Sequence, residues 1–142
     1  MRTDRCGQLN IKIKNGTPCV ALMSIQPQFV AEIANGTKQF EYRKAVFKRP
    51  VSKVVVYASS PVQKVIGEFT IKHIHQDSPN EIWKVTRLAS GITETFFQEY
   101  FRGKETAFAI EIEAFTAYEQ GFSLNDFAPH LKAPPQSYCY LP

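Results

Sequence analysis

A chain of 142 residues with 44% hydrophobic and 21% charged side chains is long enough to bury one core without disulfides or a structural metal. No apolar run reaches the roughly 18–20 residues that cross a bilayer, and no apolar stretch follows Arg2 and Arg5, so neither a membrane span nor a secretory leader is expected. The net charge of +4 hides an asymmetry that points to a phosphate-bearing ligand. Positions 1–53 carry ten Lys/Arg against three acids, and positions 54–142 carry seven against ten.

Leu9–Lys14 alternates apolar and polar residues and meets Asn15-Gly16, a hairpin turn signal, before a second apolar run from Cys19 to Ile25. Gln26-Pro27 opens a short helix with an apolar stripe at Phe29, Val30 and Ile33, and Asn35-Gly36 stops it. Lys38–Arg43 reads as a strand. With Phe40 and Tyr42 toward the core, Glu41 and Arg43 point to the opposite face.

Val51–Ser59 is the clearest strand, through Val54-Val55-Val56-Tyr57. Val65–His75 follows, with Gly67 marking a bulge or a close approach of backbones. Ser78-Pro79-Asn80-Glu81 is a capping box for a helix running to about Ala89. Thr93 caps a second helix, with Ile92 set to pack on Phe97, and that helix carries Phe96, Phe97, Tyr100 and Phe101 before Gly103. Its aromatic stripe reads as core packing. Thr106–Phe115 is a further strand with Phe108, Ile110 and Ile112 on one face and Glu111 and Glu113 on the other. Ser123–Phe127 makes a helical turn, and the tail from Ala133 to Leu141 is extended.

This order favours an α+β fold with a small, mostly antiparallel β-barrel and peripheral helices. Positions 1–19 form an N-terminal extension with a hairpin strand, and 20–142 a single domain. Cys6, Cys19 and Cys139 lack Cys-x-x-Cys spacing and fit a reducing, cytoplasmic setting as small packed residues.

Chemistry concentrates between Lys38 and Lys53, where six Lys/Arg surround one acid, Glu41. Arg43, Lys44, Lys48 and Arg49 suit phosphates or base edges. Glu41 could accept a proton or hydrogen-bond a base, and Lys38, if desolvated, could serve as a base or nucleophile. A surface ion pair between Glu41 and Arg43 explains the same residues. Tyr57 and Ser59 sit at a strand end where ligand contacts are common, although turn capping is as good an account. Gln136-Ser137-Tyr138 could read and stack on a base, or could form a plain edge strand. His73 and His75 share a strand face without a third metal ligand nearby, and nucleotide-loop, hydrolase-elbow and zincin motifs are absent. No metal or cofactor is called for.

Several segments together resemble the ASCH (activating signal cointegrator homology) family. They are Leu22-Met23-Ser24-Ile25-Gln26-Pro27, Gly36-Thr37-Lys38 through Glu41-Tyr42-Arg43 (a G-x-K-x-x-E-x-R pattern), and Val56-Tyr57-Ala58-Ser59-Ser60-Pro61. Val65-Ile66-Gly67-Glu68, Gly91-Ile92-Thr93 and Pro134-Pro135-Gln136-Ser137-Tyr138 complete the set. The likeness covers roughly 20–141. It implies a PUA-like fold with a cleft beside the motif strand and an association with RNA or other nucleic acid. Some small members are hydrolases, including an acetylcytidine amidohydrolase and a ribonuclease. In the amidohydrolase the motif lysine is catalytic, which falls on Lys38, but its site threonine falls on Glu41, and Gln26 stands where the family has lysine.

Three function classes follow. The first is a binding module for RNA or a modified nucleoside, with Lys38, Glu41, Arg43, Lys44, Lys48, Arg49, Tyr57, Ser59, Gln136, Ser137 and Tyr138 as contacts. The second is a small hydrolase or ribonuclease with Lys38 and Glu41 as catalytic groups. A protein-partner adaptor is the third class.

Overall fold

The computed structural model describes residues 18–142; the hairpin expected at Asn15-Gly16 lies outside them. Strand β1 (Cys19–Ile25) leads into helix α1 (Pro27–Asn35), which has proline at its start and ends at Gly36 in the left-handed region with φ of 89°. Then come β2 (Phe40–Arg43), β3 (Val51–Ala58) and β4 (Lys64–Asp77). Helix α2 (Pro79–Thr86) runs into a 3-10 turn at Arg87–Ala89, and α3 (Glu94–Tyr100) follows. Strand β5 (Ala107–Phe122), the short helix α4 (Leu124–Phe127) and β6 (Tyr138–Leu141) complete the described chain.

The expected caps form, with Ser78 Oγ accepting from Glu81 N at 3.3 Å and Thr93 Oγ1 from Phe96 N at 3.1 Å, and Ser123 Oγ likewise accepts from Asp126 N at 3.1 Å. Each hydroxyl satisfies a backbone N–H that the first helical turn leaves without a partner.

The six strands lie in the order β2-β5-β4-β3-β1-β6. Only β1 and β3 pair in parallel, as the crossover through α1 and β2 requires; the other pairings are antiparallel. The fold is therefore α+β and mostly antiparallel. The sheet is open, however: among the described residues no ladder joins β2 to β6, so the expected barrel is not closed by backbone pairing.

Alternation sends Met23, Ile25, Val54 and Val56 into one core with Ile33 of α1, Phe69 and Ile110. Their neighbours Leu22, Val55 and Tyr57 join a second cluster on the other face with Val65, against which Leu124 and Phe127 of α4 pack. Both faces of β1 and β3 are covered, which is why Val54–Tyr57 is apolar without interruption.

A third cluster lies beneath α2 and α3, where Phe97, Phe101, Ile82 and Tyr42 meet Ala107 and Ala109. The two alanines leave room for the rings, so the start of β5 is covered on both faces, and beyond it Ile110 and Ile112 face the first core while Glu113 on the other face is exposed. Gly67 is a close approach: a Cβ there would lie 2.6 Å from Thr116 O and 2.8 Å from Phe115 Cζ.

Candidate functional site

The turn after α1 aims the site. Gly36 N–H bonds to Ile33 O and Lys38 N–H to Glu32 O, folding the chain back on the helix end, and Gln39 N–H then bonds to Ala89 O. Lys38 is thereby driven inward and is only 2% exposed. Its Nζ donates to Ser90 O at 3.0 Å, lies 3.9 Å from Glu41 Oε1, and sits over the rings of Tyr42 (4.8 Å) and Phe29 (5.3 Å). Gly91, with φ of 72°, packs directly on the Lys38 side chain; a Cβ there would fall 2.6 Å from Lys38 Cγ and closer still to its Cβ. Burial lowers the Lys38 pKa below 10.5; Glu41 opposes that shift, Arg43 adds to it, and Glu32 opposes it.

Glu41 is 5% exposed. Its Oε2 accepts from Arg43 Nε at 3.0 Å and Nη2 at 2.7 Å. Arg43 Nη2 also donates to Ser24 O at 2.9 Å, and Nη1 to Ser137 Oγ at 3.0 Å. The guanidinium on β2 therefore reaches β1 and the segment before β6, bringing together the two ends of the open sheet. A guanidinium carries five N–H groups, so one on Nη1 remains for a ligand. Glu41 is buried and Arg43 mostly so, and the surface-pair reading of the two is set aside.

These residues line a cleft of about 370 Å³, within the ~300–1,000 Å³ usual for small-molecule sites. Lys38, Glu41 and Arg43 meet there with Ser24, Gln26, Ser59, Gln136 and Ser137. Ser24 Oγ donates to Pro135 O at 2.7 Å and Ser24 N–H to Ser137 O at 3.0 Å, which seats the distant 135–137 segment against β1.

The rest of the lining is largely apolar: Phe29, Tyr42, Ile92, Phe96 and Tyr100. Tyr42 O–H donates to Thr86 Oγ1 at 2.7 Å, since the Thr86 hydroxyl is itself committed to Ile82 O. Burial pushes the Tyr42 phenol up to about 12.

Of the residues singled out from sequence, Lys38, Glu41, Arg43, Ser59, Gln136 and Ser137 are brought into the cleft. Lys44 lies beside it, with Nζ 4.7 Å from the Tyr100 ring centroid. Lys48 and Arg49 sit on the β2–β3 loop, where their backbone N–H groups donate to Tyr140 Oη at 3.0 and 3.2 Å and the Arg49 guanidinium covers the Tyr140 ring. Tyr57 packs in the cluster with Leu22 and Val55, and Tyr138 packs edge-on against Phe47 at 4.8 Å; neither lines the cleft.

Sequence reasoning missed the aromatic lining. Its signal was the spacing 92, 96, 100 beside 97, 101: two adjacent stripes on α3, one more than a single core face needs. His73 and His75 do share a face, with rings 4.6 Å apart, and His75 Nε2 meets Glu111 Oε1 at 2.8 Å. Among the described residues no group of three or more His, Cys, Asp or Glu is placed to hold a metal, and no helix is long and apolar enough to cross a membrane.

An open, mostly antiparallel sheet with a polar cleft beside the G-x-K-x-x-E-x-R strand defines an ASCH-type, PUA-like protein, and known proteins agree. The ASCH structure from Zymomonas mobilis matches with a TM-score of 0.79 at 27% identity, covering 87% of each chain. The chain belongs to the family described as a domain of unknown function (DUF365), whose model matches residues 25–130. An ASCH domain-containing ribonuclease of Zymomonas mobilis is 31% identical over 90 residues, 63% of this chain and 61% of that protein. ATP synthase subunit alpha of Ureaplasma parvum is 31% identical over 121 residues, 84% of this chain and 15% of that protein. The chain thus spans less than two thirds of the length of either curated relative.

Proposed function

We propose that this chain is an RNA-associated domain that takes one nucleotide of an RNA, or a modified nucleoside, into the cleft beside Lys38–Arg43. The observation that carries this reading is convergence. Residues from β2, from the loop after β3 and from the 135–137 segment meet in one cleft of nucleoside-compatible size. Lys38 and the remaining Arg43 N–H supply donors, and Glu41 Oε1 an acceptor, toward the edge of a base. Lys44 beside the cleft, with Lys48 and Arg49 further along a stretch without acids from Tyr42 to Gly67, would meet the phosphates.

Salt dependence tests it. Each phosphate contact on a single strand contributes about −0.7 to the slope of log K against log salt, so three give roughly −2. Fluorescence anisotropy with short RNA should show that slope, and the Lys44→Ala/Lys48→Ala double variant should flatten it by more than one. Affinity that is flat between low and moderate salt sinks the reading.

A second reading, hydrolysis of RNA or of an amide on a modified nucleoside, is favoured by the Lys38 amine, which burial shifts toward its neutral form beside Glu41. The relative named a ribonuclease supports the same direction. Lys38 would then accept the proton of the attacking hydroxyl or water, and Arg43 would face the developing anion. Product formation by wild type that is abolished in Lys38→Met, with the variant still folded, would establish it; equal turnover in both would exclude it.

A further inference from the structure

Four aromatic rings line the cleft: Phe29, Tyr42, Phe96 and Tyr100. Three of them already have a cation over the ring. Lys38 Nζ serves Phe29 and Tyr42 at 5.3 and 4.8 Å, and Lys44 Nζ serves Tyr100 at 4.7 Å. Phe96 has none among the described residues, and its one ring partner there is Phe29, met at 75° with centroids 5.4 Å apart.

Phe96 is also 41% exposed, whereas Phe97, one residue on, is fully buried. Helix geometry explains the split. Phe97 and Phe101 turn into the core, and Phe96 and Tyr100, also four apart, turn to the cleft. The same cleft is lined by polar groups from Lys38, Ser59, Gln136 and Ser137. A cavity that combines an open aromatic ring with hydrogen-bonding groups fits a planar heteroaromatic ring with a polar edge. It does not fit a bare sugar phosphate.

Resting on the RNA-associated reading above, we infer that Phe96 is the stacking platform of the cleft and the residue that makes it select a nucleobase over the ribose-phosphate backbone. The rings of Phe29, Tyr42 and Tyr100 are held in place by their cations and shape the pocket. Among the described residues Phe96 is the one cleft ring with no cation over it, and it is the most exposed large apolar side chain of the lining. Stacking of a base on an aromatic side chain is sequence-tolerant, because every base has a π-face. Phe96 therefore sets the requirement for a base, and the polar groups set which base.

The experiment compares wild type, Phe96→Ala, Phe96→Leu and Phe96→Trp by calorimetric titration with pentameric RNA homopolymers and with an abasic pentamer of the same charge. Thermal melting checks that each variant is folded; Phe96→Leu keeps apolar volume in place against Phe29 without a π-face. Wild type is expected to prefer base-bearing pentamers. Phe96→Ala and Phe96→Leu should weaken their binding by about 5- to 150-fold while changing abasic binding by less than about twofold, and Phe96→Trp should restore the preference.

Base-bearing affinity unchanged in Phe96→Leu, or abasic affinity lowered as much as base-bearing affinity, overturns the inference and leaves RNA association standing. So does a wild type that binds abasic and base-bearing pentamers alike. A wild type that binds no pentamer at all overturns both.

Discussion

Gly91 is the position where backbone conformation and the candidate site meet, and replacing it with alanine separates two costs. The first is conformational. At φ of 72° an L-residue occupies the left-handed region, at roughly 1–2 kcal/mol. The second is steric. The new Cβ would enter the Lys38 side chain, at 2.6 Å from Cγ and 3.0 Å from Cα. Lys38 is buried and anchored to Ser90 O at 3.0 Å, so it cannot swing aside without giving up that bond, and overpacking of this kind costs about 1–3 kcal/mol.

Gly36 and Gly103 are natural controls. Their φ values are 89° and 78°, yet a Cβ at either would meet nothing within 4 Å. Gly103→Ala should therefore cost about 1–2 kcal/mol and Gly91→Ala about 2–5 kcal/mol. At about 3–4 °C per kcal/mol for a chain of this size, the melting temperature should fall by roughly 3–8 °C in the first and 6–20 °C in the second. Melting followed by circular dichroism, with urea titration for free energies, reads the difference. Equal losses in the two variants would refute the packing of Gly91 on Lys38.

The alkaline limb of stability is set in part by Tyr42, whose phenol is raised from 10.0 to about 12. The unfolded phenol ionises first and releases its proton, so this contribution is whole below pH 10 and is lost between 10 and about 12. Tyr42→Phe should cost about 1 kcal/mol at pH 8 through the Thr86 hydrogen bond and unfold less steeply with alkali in urea titrations at stepped pH; an identical alkaline slope would contradict this. Lys38 acts in the opposite sense: its folded pKa is lowered, so its burial penalty eases as pH rises toward 10.5, and Lys38→Met should remove that gain. Arg43→Lys keeps the charge but cannot span Glu41, Ser24 and Ser137, and should lose about 2–3 kcal/mol with faster amide exchange at Tyr138–Leu141; unchanged exchange there would show that the clasp holds nothing. Gly67→Ala drives a Cβ against Thr116 O and should weaken the β4–β5 ladder by about 2–3 kcal/mol, measured as a lower urea midpoint; a wild-type midpoint would count against the close approach.

Features written in neighbouring residues were legible. Caps at Ser78 and Thr93, the stop at Gly36 and the apolar run at Val54–Tyr57 depend on contacts within a few positions, so sequence spacing carries them. The burial of Glu41 was not. Strand alternation put it on the face away from the core, but there Arg43 folds over it while held by Ser24 O and Ser137 Oγ. Ser137 lies 94 positions from Arg43, and no local pattern announces that contact. Likewise Tyr57 and Tyr138 looked like ligand contacts because they flank polar residues, whereas the long-range pairing of β1 with β3 and β6 turns both into packing. The gathering of charged groups at Lys38–Arg43 was legible; the aromatic lining of the same cleft was hidden because a stripe on α3 serves two surfaces at once.

The clasp of Arg43 on Ser24 and Ser137 also bears on how the molecule reaches its native state. Lys38, Glu41 and Ser24 are made early in the chain, but Gln136 and Ser137, which line the same cleft, come about a hundred positions later. Closing so long a loop is entropically costly and slow compared with forming α1 or the β3–β4 hairpin. The cleft is therefore expected to be completed late in folding. A folding intermediate with β6 undocked would leave Arg43 without Ser137, its guanidinium anchored only to Glu41 and Ser24. Ligand-binding competence, followed in a refolding experiment, should lag behind the recovery of sheet structure.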